Sequence, residues 1–180
     1  MLNCIFKEIT ASRADHMRHL FFFFLIISLF SCRKGDEDVQ KIDQITHIYI
    51  DSAGQDMLNS KLLNSYIAVS MNDDYGITDN VPVNFTLKKT ADTVNYLEYV
   101  AGAKRILVDS SDAQRKIYES RIALNMIKKT SDSTQVKVND TLILRYVNAP
   151  DIFYLNEAFY NKVKVFSKTS GQPNLVQVHK

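Results

Sequence analysis

The chain has 180 residues, enough for one domain with a short appendage. Lys and Arg number 22 against 20 Asp and Glu, a net charge of +2, so the basic footprint that nucleic acid demands is missing. Five Gly, three Pro and 46% hydrophobic residues exclude collagen-like and disordered chains, and the two cysteines, Cys4 and Cys32, exclude a disulfide framework in the body of the protein.

The first feature along the chain is the apolar run over residues 20–30, in which only Ser28 is polar. A helix of that length rises about 17 Å against about 30 Å of hydrocarbon, too short to span and right for the apolar region of a signal peptide. Arg18 and His19 form its basic head, and Met17 before them is the favoured start, because Glu8 and Asp15 do not suit a signal's basic region. Residues 1–31 are therefore expected to be a signal peptide. Leu29-Phe30-Ser31-Cys32 resembles a bacterial lipobox, with Phe30 bulkier than the commonest residue there. The resemblance implies cleavage between Ser31 and Cys32, which needs a small residue at 31, and a diacylglycerol on the Cys32 thiol. Cleavage removes Lys7, Arg13, Arg18, Glu8 and Asp15, leaving the mature chain at +1. Two or three acyl chains at the new amino terminus give stable anchoring to a membrane. Residues 32–43 read as a flexible tether. Its Lys34 and the acids at 36–38, set one place late by Gly35, resemble the export signal of Bacteroidetes lipoproteins. That resemblance implies the outer membrane of a bacterial cell envelope and leaves the choice of periplasmic or outer face open.

Beyond the tether, periodicity predicts strands. Ile45, Ile48, Tyr49 and Ile50 form a β-rich run that stops at the turn cluster Asp51-Ser52-Ala53-Gly54. Residues 66–69 form another, stopped by Asn72-Asp73-Asp74. Val81, Val83, Phe85 and Leu87 alternate with Pro82, Asn84, Thr86 and Lys88, which predicts one half-buried strand with Pro82 at an edge or first position. Runs at 96–100 and 105–108 follow. Residues 112–129 lack Gly and Pro, and Ser110-Ser111-Asp112 could cap a helix. Yet Tyr118, Ile122, Leu124 and Met126 share one parity, which predicts a strand over 117–127. Residues 141–147 alternate less tidily. Residues 153–155 and 158–160 read as two arms of a hairpin about Asn156-Glu157, with Val163 and Val165 continuing the last strand. Eight or so short strands without a βαβ rhythm predict a single all-β domain over 44–180, an immunoglobulin-like or transthyretin-like β-sandwich.

Three short motifs carry a further resemblance. The run from Ile48 to Asn59 (Ile-Tyr-Ile-Asp-Ser-Ala-Gly-Gln-Asp-Met-Leu-Asn), Asp140-Thr141-Leu142 and Phe153-Tyr154-Leu155-Asn156-Glu157 look like those of small Bacteroidetes lipoproteins of unknown function. The resemblance spans most of residues 45–166 and implies a sandwich; it carries over no catalytic residue.

Few positions invite chemistry. His47 and His179 are the histidines left after cleavage, and neither has a partner at metal-ligand spacing. Asp51-Ser52-Ala53-Gly54-Gln55-Asp56 fails as a calcium loop, because Ala53 and Asp56 occupy positions that need an acid and a glycine; Asp51 reads instead as a turn cap. No nucleophile elbow occurs. The expectation is a non-catalytic accessory or structural protein of the envelope, with no cofactor, no metal and no nucleic-acid partner. The alternative is a glycan- or peptide-binding module using exposed tyrosines from Tyr96, Tyr99, Tyr146, Tyr154 and Tyr160. Asp51-Ser52-Ala53, Asp92-Thr93-Val94 and Asp140-Thr141-Leu142 resemble the Bacteroidetes O-glycosylation triplet, which implies Ser52, Thr93 and Thr141 as acceptors.

Overall fold

The structure is a computed structural model that describes residues 40–78 and 81–180; the expected signal peptide with Ser31, Cys32 and the expected tether up to residue 39 lie outside the described residues. The strands in chain order are β1 (Lys41–Asp43), β2 (Thr46–Ser52), β3 (Gln55–Asp56), β4 (Tyr66–Asp73), β5 (Val81–Pro82), β6 (Thr86–Lys89) and β7 (Asn95–Tyr99). They continue with β8 (Ile106–Asp112), β9 (Arg115–Lys129), β10 (Gln135–Asn148), β11 (Ile152–Tyr160), β12 (Val163–Ser167) and β13 (Asn174–His179).

These strands form two sheets around one core, an all-β sandwich. The larger sheet runs β1-β11-β10-β9-β4-β5, with β12 beside the far half of β11 and β8 beside the near half of β9. The smaller runs β13-β2-β7-β6, with β3 folded back on β2. Alternation decides which side chains meet between them. Ile122, Leu124 and Met126 of β9 and Leu142, Leu144 and Tyr146 of β10 share the core with Ile48, Ile50, Leu97, Val176 and Val178 of the smaller sheet. Each such side chain contributes about 1.5–3 kcal/mol by leaving water.

Two carboxylates tie loops to strands by accepting backbone N–H groups. Asp73 accepts the Tyr75 N–H at 2.9 Å and the Lys104 N–H at 2.6 Å, fixing the end of β4 to the approach to β8. Asp56 accepts the N–H groups of Leu58 and Asn95, both at 2.9 Å, and the Asn95 side-chain amide at 2.6 Å.

Several expectations change. The strand expected over 117–127 is longer, β9, and the two residues after Asp112 turn the chain from β8 into it rather than opening a helix. The period-two run from Val81 to Lys88 is two strands: β5 pairs with β4, and β6 pairs with β7 in the other sheet. Val83 and Phe85 between them both pack on the core, so the alternation marks a crossing rather than one strand. The hairpin about Asn156-Glu157 is a single strand, β11, with a bulge: Arg145 pairs with Glu157 but Tyr146 with Leu155. Inward residues pass from Phe153 and Leu155 to Ala158 and Tyr160, and the bulge absorbs that change of phase. The turn lies at Asn161-Lys162, where φ is +48° and +73°. Finally, Lys41–Asp43 belong to the sheet as β1, parallel to β11, so the sheet claims the last residues expected in the tether. No strand was expected over 174–179, yet β13 lies there, parallel to β2. The total of thirteen strands among the described residues exceeds the eight or so expected.

Candidate binding face

The outward face of the smaller sheet brings three half-exposed rings together. In β2, Ile48 and Ile50 are buried, so alternation turns His47, Tyr49 and Asp51 outward. In β7, Leu97 and Tyr99 are buried, which turns Tyr96 and Glu98 the same way. The antiparallel register sets His47 opposite Glu98 and brings the rings together. The Tyr96 centroid lies 4.7 Å from that of His47 and 5.3 Å from that of Tyr49. Charged groups flank this row: Lys88 Nζ is 2.6 Å from Glu98 Oε1, and His47 Nε2 is 3.4 Å from Glu98 Oε2. The Lys88 hydrogen bond is the chief cause that holds the Glu98 carboxyl below the usual range, so it stays ionised. Burial first, and the neighbouring Tyr96 second, raise the Tyr49 phenol above its ordinary value, so it stays neutral. On the other side of β2, Gln177 and His179 of β13 extend the face, with His179 Nδ1 2.6 Å from Asp51 Oδ1. Asp51 thus holds His179, and the turn after Ser52 is made by Ala53 and Gly54, both with positive φ. The result is a row of half-exposed rings with hydrogen-bonding groups at its rim, a surface suited to stacking against a sugar ring or an apolar side chain.

The five tyrosines singled out in the sequence divide by strand parity. Tyr99, Tyr146 and Tyr160 are buried in the core and present no face to a ligand. The Tyr99 hydroxyl oxygen accepts the N–H groups of Gly102 and Ala103 at 2.9 and 3.0 Å. Tyr96 and Tyr154 remain available. Tyr154 lines a separate groove of about 710 Å3 between β11 and the loop before β13. Beside it, Lys168 donates to Asp43 Oδ2 at 2.7 Å, the Gln172 carbonyl at 2.6 Å and Asn174 Oδ1 at 2.8 Å, a satisfied clamp rather than a free cation. Tyr49 and His47 were not among the binding candidates of the sequence reading, although their alternation with Ile48 and Ile50 was the available signal.

The three hydroxyls in glycosylation-like triplets have different surroundings. Ser52 Oγ donates to the Lys180 carbonyl at 2.8 Å. Thr93 is exposed in a tight turn with φ +66°, unusual for a β-branched residue. Thr141 is half-buried on β10, its N–H bonded to Asn161 Oδ1 at 2.8 Å.

Next to Thr141, Asp140 accepts hydrogen bonds from Tyr160 at 2.6 Å, Asn161 at 2.6 Å, and Lys180. Partial burial opposes its ionisation, but those donors and the lysine charge prevail and hold the carboxyl below the usual range. A depressed folded-state pKa contributes stability above the unfolded value of about 3.9, and that contribution is lost as pH falls through the lower folded value. Asp140→Asn should therefore be less stable than wild type at neutral pH, with the gap closing below about pH 4. Urea unfolding at both pH values tests this; a gap that persists in acid contradicts it.

No group of three metal-ligating side chains occurs among the described residues. No family model, no curated protein and no solved structure matches the chain.

Proposed function

We propose that this is a lipid-anchored, non-catalytic protein of the bacterial cell envelope, held at the outer membrane through Cys32. The single observation that carries the reading is the apolar run ending in Leu29-Phe30-Ser31-Cys32 and followed at once by a charged polar segment. A folded domain whose first strand begins at Lys41, soon after that cysteine, is consistent with a short stalk leading to a sandwich outside the bilayer. Detergent phase partitioning tests it. Wild type is expected in the detergent phase, and Cys32→Ala is expected to accumulate as uncleaved precursor. A wild-type protein found in the aqueous phase sinks the reading.

A second reading adds a task to the anchored domain: a surface module that binds glycan or peptide. The row formed by His47, Tyr96 and Tyr49 favours it, because an outward cluster of rings is otherwise a liability in contact with water. Among the three glycosylation-like triplets, Thr93 has the exposure that an attached glycan requires.

A further inference from the structure

A second site has a chemistry of its own, independent of the aromatic row. Arg105, on the approach to β8, lays its guanidinium over the rings of Phe153 at 4.7 Å and Tyr146 at 5.1 Å. Those two rings stack on each other with centroids 5.3 Å apart. The arginine lines a cleft of about 360 Å3 beside β1, together with Ile42, Tyr118 and Asn148. Gln40 and Asn148 also line an adjoining hollow of about 360 Å3 that holds Lys116. Neither hollow is lined by an Asp or Glu, and neither Arg105 nor Lys116 has an ion pair among the described residues.

Gln40 donates to Asn148 Oδ1 at 2.6 Å and to the Ala149 carbonyl at 2.7 Å. Arg105 Nη2 donates to Gln44 Oε1 at 3.0 Å. Two of the cleft's amide oxygens are thus occupied internally. The rest of the guanidinium, the Asn148 amide N–H groups and the Tyr118 hydroxyl have no protein acceptor among the described residues. Among the described residues, donors without a partner thus gather beside two cations without counter-ions. A guanidinium held over aromatic rings keeps N–H groups that can fit a carboxylate as a fork, with two parallel bonds.

We propose that this cleft binds a carboxylate, and specifically the free carboxy terminus of a peptide whose last side chain is apolar. Ile42, 62% exposed at the cleft, supplies the apolar contact. β1 has β11 as its one sheet neighbour among the described residues; the Lys41 N–H bonds to the Asp151 carbonyl, so alternation turns the backbone groups of Ile42 to the outer edge, where they can pair with the end of an extended peptide.

Calorimetric titration of the full chain in detergent tests the assignment. N-acetyl-leucyl-valine is compared with its carboxy-terminal amide and with digalacturonate. The native chain and an Asp36→Asn, Glu37→Gln, Asp38→Asn variant are both titrated, so that the chain's own carboxylates just before Gln40 do not hide a site. The free acid is expected to bind saturably and the amide not to bind. Arg105→Lys keeps the charge but loses the fork and should weaken binding about tenfold or more. Should that variant lower the unfolding midpoint, Lys116→Gln, which stacks on no ring, should still weaken binding. Equal binding of acid and amide, no binding to either chain, an unaffected Lys116→Gln, or binding of digalacturonate alone would each overturn the proposal.

Discussion

Leu144→Ala should destabilise the domain by about 4 kcal/mol, towards the upper end for such truncations. Leu144 is fully buried on β10, the strand between β9 and β11 in the larger sheet. Its register partners are Ser120 on one side and Ala158 on the other, both small and both fully buried. Neither has a side chain long enough to fill the space that a lost isobutyl group leaves, so the cavity stays open and its lining loses contacts. Against a net stability of about 5–15 kcal/mol for an ordinary domain, that is a large fraction. Leu87→Ala, at an exposed position of edge strand β6, is the control and should change stability by less than about 0.5 kcal/mol. Urea unfolding followed by circular dichroism compares the two. Similar midpoints for both variants would mean that the core does not centre on β10.

The second large effect concerns the aromatic row. If the outward face of the smaller sheet binds a ligand, the double variant Tyr49→Ala/Tyr96→Ala should lose that binding by more than about a hundredfold, at about 2 kcal/mol for each anchoring ring. Both side chains are half-buried and their rings meet, with Tyr96 also against His47, so a modest fall in stability accompanies the loss. Tyr154→Ala, in its separate groove, distinguishes the two surfaces: binding through the row leaves it unaffected. A glycan and peptide array probed with all three proteins gives the reading. Equal signals from wild type and the double variant would remove the face from consideration.

Much of the sandwich was legible in the sequence because long strands print their parity. β9 runs fifteen residues without Gly or Pro, and Ile122, Leu124 and Met126 mark its inner face without ambiguity. The same rule, applied to tyrosines, separates core from surface. Tyr146 shares parity with Leu142 and Leu144, and Tyr99 with Leu97; both are core, whereas Tyr96 falls on the opposite face. A rule of strict alternation fails where the backbone changes phase. The bulge in β11 imitates a turn, and the crossing at Val83 and Phe85 imitates a continuous strand. β13 was illegible for another reason. It is six residues long, and its partner β2 stands more than a hundred residues earlier, so nothing local announces the pairing. The Arg105 cleft was hidden likewise, since Gln40, Arg105 and Asn148 come from three distant segments.

The most direct test of the lipid-anchored reading is the mass of the amino-terminal peptide of protein taken from its native membranes. A peptide that begins at Cys32 and carries a diacylglycerol on its thiol is the expected result. An unmodified Cys32 inside an uncut chain that still contains Ser31 would contradict it.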